Sequence, residues 1–340
     1  MPEEMALQLI SQESVEGVAE AWGRHEGRQF RDGALRLVTR SADQVVVRTV
    51  RSSAQSPLFS ADSLSVPLAD LAECQYVTPT RNGFAASRYD SVSYHSRSGA
   101  VEWSFRHFPW EDEPIGSGAC AETPDGCHLL AVVPGTPDDA GEYPGDRCVL
   151  LDSGTGKVVD ETLLPSFSAS YTLDVPFRQV STFFLSAGQG QDDAYSWKVD
   201  IVDGRLHLME LASGMERVTG AQRDRVLVQG VGGSWLQVRS AVPDGTPHIE
   251  AEVTSEDVRA EQESYLTGDS GFVDDSHVIA AVGDEWWSED TEHFLLDAAD
   301  LTVRHRLRYP FPIGLVPKAL GDGTWITSNG TDVHRWRIAQ

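Results

Sequence analysis

The hydrophobic pattern of the chain is that of strands. Short runs rich in Val, Ile, Leu, Phe, Tyr and Trp are bounded by Gly, Asp, Asn and Pro, and helical spacing is rare. The clearest unit runs from Gly118 to Leu164. In it ACAETPDG reads as a strand and turn, CHLLAVVPG as a strand, RCVLLDSGTG as a strand and turn, and KVVDETLL as a fourth strand. The turn residues suit their places. Pro124 fixes φ, Asp125 offers a side-chain acceptor and Gly126 accepts a positive φ, while Gly154 and Gly156 act likewise around Thr155.

The four-strand pattern recurs along the chain. ECQYVTPTRN, GFAASRYD, SVSYHSRSG and AVEWSFRHF make one unit, and SGFVDDS, HVIAAVGD, EHFLLDAAD and LTVRHRL another. Third strands align from Val45, Val92, Cys148, Lys198, Trp235, Phe294 and Val333, six steps from 45 to 333 and so a mean of 48 residues. That is slightly above the roughly 40–45 residues of a four-stranded propeller blade, as long loops require. One small sheet cannot bury both its faces alone, whereas radial stacking buries them and leaves short edges.

TPDGCHLLAVV with VLLDSGTGKVV resembles a blade of the WD-repeat-like and quinoprotein-like β-propellers, and DSVSYHSRSGAVEWSF is similar to the quinoprotein type of blade. The resemblance covers the chain from about residue 34 onward. It implies an all-β fold, a seven-bladed β-propeller (six or eight blades being the alternatives) of four-stranded antiparallel sheets. It implies no particular activity. Residues 1–33 are expected to form an N-terminal strap or short helix and residues 34–340 the propeller. The last unit shows three strands, so Met5 to Ile10 is a candidate for the missing fourth. The alternative is that 14–28 forms a small amphipathic helix and another segment closes the ring. A helical insertion is expected at 254–267, with Thr254 as cap, Glu256 and Asp257 in its first turn and Gly268 as its stop.

Strands of a blade alternate in direction. Second-to-third loops and fourth-to-first loops therefore share one face, and the tight first-to-second and third-to-fourth turns share the other. The long loops belong mostly to the first face, where binding residues usually sit. They share a composition. Trp110, Glu111, Asp112 and Glu113 lie between two units; Asp138, Asp139, Glu142, Tyr143 and Asp146 lie inside the next; Asp192, Asp193, Tyr195 and Trp197 inside the third; Asp284, Glu285, Trp286, Trp287, Glu289, Asp290 and Glu292 in a later one. Arg147 is the one basic residue adjoining these 14 carboxylates in the sequence. Rings beside carboxylates suit a cation, through Coulomb attraction and cation–π contact. A basic or cationic protein or peptide partner is expected there. A merely solvated acidic surface is the plainer alternative.

Charge supports this direction. The 340 residues include 27 Lys and Arg against 52 Asp and Glu, a formal charge of −25. Nucleic acid and anionic membrane surfaces are therefore not expected partners. No run of about 18 apolar residues predicts a spanning helix, and MPEEMALQLISQESVEG does not read as a secretory signal. A cytoplasmic, monomeric protein with reduced thiols is expected. Of the four cysteines, Cys74, Cys120, Cys127 and Cys148, the two that flank the 123–126 turn, Cys120 and Cys127, read as small buried hydrophobes. No metal or cofactor is expected. There is no Cys-x-x-Cys pair, no Asp-x-Asp-x-Asp-Gly loop and no paired-histidine motif. Gly154-Thr155-Gly156-Lys157 reads as a hairpin turn, not a phosphate loop, and Gly268-Asp269-Ser270-Gly271 as a turn, not a protease serine loop. A non-enzymatic scaffold is expected. The alternatives are a lyase or hydrolase with its site in the central channel, built from several blades, and a carbohydrate or small-ligand binder.

Overall fold

The computed structural model describes residues 3–23, 28–31, 34–40, 44–51, 57–61, 63–67, 74–110, 117–138, 140–166, 169–174, 182–189, 193–241, 247–261, 263–285, 288, 290–314 and 316–339. The chain opens with strand β1 (Glu3–Ser14) and helix α1 (Val18–Gly23). Four-stranded antiparallel sheets follow in succession. Blade one holds β2 (Arg28–Arg31), β3 (Ala34–Arg40), β4 (Gln44–Thr49) and β5 (Leu64–Pro67); blade two holds β6 (Cys74–Pro79), β7 (Gly83–Arg88), β8 (Ser91–Ser96) and β9 (Val101–Arg106). Blade three holds β10 (Cys120–Glu122), β11 (His128–Pro134), β12 (Asp146–Asp152) and β13 (Val158–Leu163). Blade four holds β14 (Ser170–Asp174), β15 (Thr182–Gln189), β16 (Asp193–Val202) and β17 (Arg205–Gly214).

Blade five is β18 (Glu216–Gln222), β19 (Arg225–Gly230), β20 (Trp235–Ser240) and β21 (Ile249–Thr254), and helix α2 (Ser255–Arg259) leads out of it. Blade six is β22 (Tyr265–Phe272), β23 (His277–Gly283), β24 (Glu292–Asp297) and β25 (Val303–Arg308); then come β26 (Lys318–Ala319), β27 (Trp325–Asn329) and β28 (Asp332–Ile338). All seven third strands expected from the repeat fall within β4, β8, β12, β16, β20, β24 and β28.

Alternation within each strand makes the ring. Successive side chains point to opposite faces. Val226 and Val228 of β19 pack toward blade four with Phe184 and Leu211, while Leu227 between them packs toward blade six with Leu266 and Phe272. Phe183 and Leu185 of β15 likewise face blade three, and Phe184 faces blade five. Apolar clusters of this kind fill the gap between every adjacent pair of blades, including seven against one. Middle strands therefore read as continuous apolar runs, as His128–Pro134 does, whereas the outer β9, β13 and β21 expose alternate residues.

The last blade is completed by the first strand. Leu7 to Ser14 of β1 pair antiparallel with β28, with a bulge between Leu9 and Ser11. Glu3 to Ala6 continue onto the edge of blade six, parallel to His305–Arg308 of β25. One strand thus joins two sheets into eight strands and covers both edges. The strap expectation holds and its alternative does not: β1 itself closes the ring, and the helix that follows, α1, spans only Val18–Gly23 and not 14–28. α1 buries Val18, Ala21 and Trp22 between blades seven and one. The strap and β2 are strands of the ring itself, so the propeller begins ahead of residue 34. The buried Arg335 adds a polar clasp: Nε donates to Thr324 Oγ1 at 3.0 Å, Nη2 to Asp322 Oδ2 at 2.5 Å, and Nη1 to the Arg51 carbonyl of blade one.

The expected helical insertion is present and shorter. Thr254 caps α2 and accepts from the Asp257 amide, but the helix stops at Ala260, which is left-handed at φ 60°, and the chain enters β22 before Gly268. The GTGK segment is the expected hairpin turn. Gly156 has φ 69°, and a Cβ there would lie 2.5 Å from the Trp103 ring of blade two. Of the two cysteines expected to be buried beside the 123–126 turn, Cys120 is buried, whereas Cys127, at the end of that turn, is exposed.

Removing residues 1–14 exposes the edges of β28 and β25 together, so we expect a truncated chain to lose cooperative unfolding and to bind a synthetic 3–14 peptide. A truncated chain that melts like the full protein and ignores the peptide would refute closure by β1. Acid should also destabilise the fold. His293 is buried, with Nδ1 2.8 Å from the Tyr309 hydroxyl, and burial pushes its pKa down to about 3. An unfolded histidine binds a proton below about pH 6.5, so stability falls as pH drops from 6.5 toward 3, by about 2 kcal/mol at pH 5. Urea unfolding at pH 7 and pH 5 should show a smaller loss in His293→Gln than in the parent.

Candidate functional site

Strand connectivity places every loop singled out in the sequence on one face of the ring. Residues 107–119 join blades two and three, while 135–145, 190–192 and 284–291 join second strands to third strands. Glu111, Asp112, Glu113, Asp139, Asp192, Trp286, Trp287 and Glu289 lie outside the described residues. The remaining members can be followed side chain by side chain.

Three of them belong to the interior: Trp110, Asp146 and Trp197, the last 4% exposed within strand β16 and not in a loop. Trp110 is 0% exposed and packs against Tyr171 with ring centroids 6.1 Å apart, so its indole is core between blades three and four. It was expected to be a binding ring because Pro109 and three acids adjoin it, and sequence proximity does not reveal that the ring turns inward. Asp146 is also fully buried. Its carboxylate accepts from the Tyr171 hydroxyl at 2.5 Å, from the Ala169 amide at 3.3 Å and from the Tyr143 hydroxyl. Burial, and then the neighbouring Asp146, holds the Tyr171 phenol well above its ordinary pKa. This knot fixes the loop between β11 and β12 and uses Tyr143 from below.

Other members are exposed or half-buried and engaged. Asp138 Oδ1 accepts from the amides of Ala140 and Glu142, both at 2.9 Å, so it organises its own turn. Asp193 accepts from the Tyr195 hydroxyl at 3.1 Å, which raises the tyrosine pKa, and Tyr195 stacks on Trp197 at 5.6 Å. Arg259 at the end of α2 pairs with Asp284, with Glu261 at 3.2 Å and with Glu292 at 3.4 Å. The hydrogen bond to Asp284 is the first cause of a raised Arg259 pKa. Arg147 is therefore not alone among the acids, because α2 brings a second cation to the loop of blade six from 25 residues away.

Glu142, Glu285 and Asp290 are exposed, and their side chains hydrogen-bond to nothing among the described residues. Two rings missed in the sequence join them on the same face: Tyr89, in the turn between β7 and β8, is 37% exposed, and Phe108, after β9, is 42% exposed. A lone aromatic at a strand end gives no pattern to read, although the length of the loop after Arg106 marked the place.

The opposite face uses its acids differently. Asp125 accepts from the Thr123 hydroxyl and the Cys127 amide, Asp152 from Thr155, and Asp300 from Thr302, and these bonds hold all three pKa values low. Much of the negative charge is thus turn chemistry. Among the described residues no cluster of His, Cys, Asp and Glu could hold a metal ion, and no helix is long and apolar enough to cross a membrane.

The axis is polar. The inner strands of blades one and four approach within 8 Å, Cα to Cα, across it. Asp269, from the Gly-Asp-Ser-Gly segment, sits in a bulge of β22 and not in a turn; its Oδ1 lies 3.4 Å from Arg217 and its Oδ2 3.7 Å from Lys318. Ser270 donates to Gln229 at 3.3 Å.

No family model matches the chain, and no curated protein matches it. Solved structures do. The WD40 domain of Pan2 from Neurospora crassa superposes with a TM-score of 0.55 at 11% identity, covering 100% of this chain and 98% of that one. A structure of BBS1N in complex with ARL6DN gives 0.54 at 11% identity over 99% and 98%. Sqt1 from Saccharomyces cerevisiae gives 0.50 at 11% identity over 92% and 83%. The chain is a β-propeller of WD40-like architecture. At this identity the likeness establishes the fold alone.

Because the Trp110 indole is buried, Trp110→Ala should lower stability by roughly 3–5 kcal/mol, as a large buried ring does when truncated. Chemical denaturation checks this. A stability change below ~1 kcal/mol would place the ring outside the core.

Proposed function

We propose that the protein is a non-enzymatic interaction scaffold whose loop face docks a basic or cationic protein or peptide segment. The supporting observation is where the unengaged acids sit: on the turn face, carboxylates such as Asp125, Asp152 and Asp300 are engaged in their own turns, whereas on the loop face the exposed Glu142, Glu285 and Asp290 have no side-chain partner among the described residues. Exposed Tyr89 and Phe108 lie on that same face. Lysine or arginine side chains meeting it gain Coulomb attraction and ring contact without losing an internal ion pair. The rigid blades present these groups with little ordering to be done at binding.

The test uses a fluorescent lysine-rich peptide and anisotropy titrations. We expect affinity to fall about tenfold between 50 and 300 mM NaCl, since exposed charges are screened at that distance. Glu142→Lys with Glu285→Lys should weaken binding by at least another ~10-fold, as like charges replace attractive ones. Glu102→Lys with Asp224→Lys, on the outer edge and the turn face, should change it less than about twofold beyond the effect of net charge. Equal losses from the two pairs would show that the acidity acts without a face and would sink the proposal.

A further inference from the structure

Charged side chains from five blades meet around the axis. Arg28 of β2, Arg217 of β18 and Lys318 of β26 bring three cations, and Asp269 of β22 and Asp174 of β14 bring two carboxylates. The cluster carries an excess positive charge in a chain whose net charge is −25. Asp269 is engaged by Arg217 and Lys318, and Arg217 Nη2 also donates to the Gly268 carbonyl at 2.8 Å.

Arg28 stands apart from these pairs. Its guanidinium lies 5.5 Å from the centroid of the Trp22 ring, and the Trp22 indole is itself fixed by donating to the Val316 carbonyl at 3.1 Å. Its charged neighbours are Asp269, Asp174 and Arg217, from blades six, four and five, a set that blade one can meet only at the centre of the ring. Nε and Nη1 are shut off from solvent and donate to nothing among the described residues. A buried guanidinium with unmade hydrogen bonds is strongly unfavourable, and burial accordingly lowers its pKa against the pull of Asp269 and Asp174. Charge-assisted hydrogen bonds to an oxyanion are what two free guanidinium nitrogens in a low-dielectric site are suited to make.

We propose that the centre of the ring is a binding site for a small oxyanion, a phosphate or carboxylate group, held on Arg28 with Trp22 as its wall and with Arg217 and Lys318 supplying further positive charge. The site is distinct from the loop face and does not depend on the scaffold reading. It differs from it in sign as well: the loop face suits cations, the axis an anion.

The experiment titrates inorganic phosphate, and separately acetate, into the full chain at fixed ionic strength set with chloride, read by calorimetry and thermal unfolding. We expect saturable binding of one ion per chain to phosphate or acetate, the stronger of the two identifying the oxyanion chemistry, with a rise in melting temperature that chloride does not reproduce. Arg28→Met keeps an apolar stem against Trp22 and should weaken binding at least ~10-fold. Arg308→Met, at the outer edge of blade six, should bind as the parent does. Without added anion, Arg28→Met should melt no lower than the parent, because it removes a guanidinium whose Nε and Nη1 are shut off from solvent with no hydrogen-bond partner among the described residues. No saturable binding by the parent, or equal binding by Arg28→Met, would overturn the proposal. So would an Arg28→Met chain that is unfolded or markedly less stable, because Arg28 would then be a structural cation neutralised by Asp174 and Asp269.

Discussion

A four-stranded sheet with two apolar faces has nowhere to put them except against copies of itself. That constraint governs this molecule. Burial of apolar area contributes about 25 cal/mol per Å², and here it accrues between sheets. Strands that alternate strictly send Phe183 one way and Phe184 the other, so each blade is glued to both neighbours by the same few strands. A row of such units has two unsatisfied ends, and bending the row into a ring removes them.

Closure then becomes the weakest specification and receives the most hardware. β1 crosses from the edge of blade seven to the edge of blade six, α1 plugs the seam between blades seven and one, and Arg335 ties a turn of blade seven to the backbone of blade one. These contacts link residues nearly a whole chain apart in sequence, and their loop-closure entropy is met only when the ring is complete.

The ring also sorts charge. Turns between adjacent strands need Asp to bind their own amides and hydroxyls, so acids accumulate on the turn face as structure. Loops that join strands over longer distances are free of that demand. Some of their acids were recruited inward, as Asp146 was by Tyr171 and Tyr143, and some were neutralised, as Asp284 was by Arg259. Those left over face solvent. At the axis the logic reverses, since inner strands from different blades bring Arg28, Arg217 and Lys318 near two half-buried carboxylates.

The sequence by itself determined the strand repeat, the seven third strands, the tight turns, the strap and the Thr254 cap. Each of these rests on neighbours within a few residues: alternation, a Gly at positive φ, a hydroxyl before a helix. It also placed the long loops on one face, because antiparallel pairing fixes direction. Tertiary structure alone decided which loop residues face out. Trp110 and Asp146 look like surface residues beside their acidic neighbours, yet Tyr171, from the following blade, draws both into the core. It alone decided that Asp269 meets Arg217 and Lys318, residues brought together from three blades. Local pattern records what a residue does within its strand, whereas burial and charge partners are set by the strand that the ring happens to lay beside it.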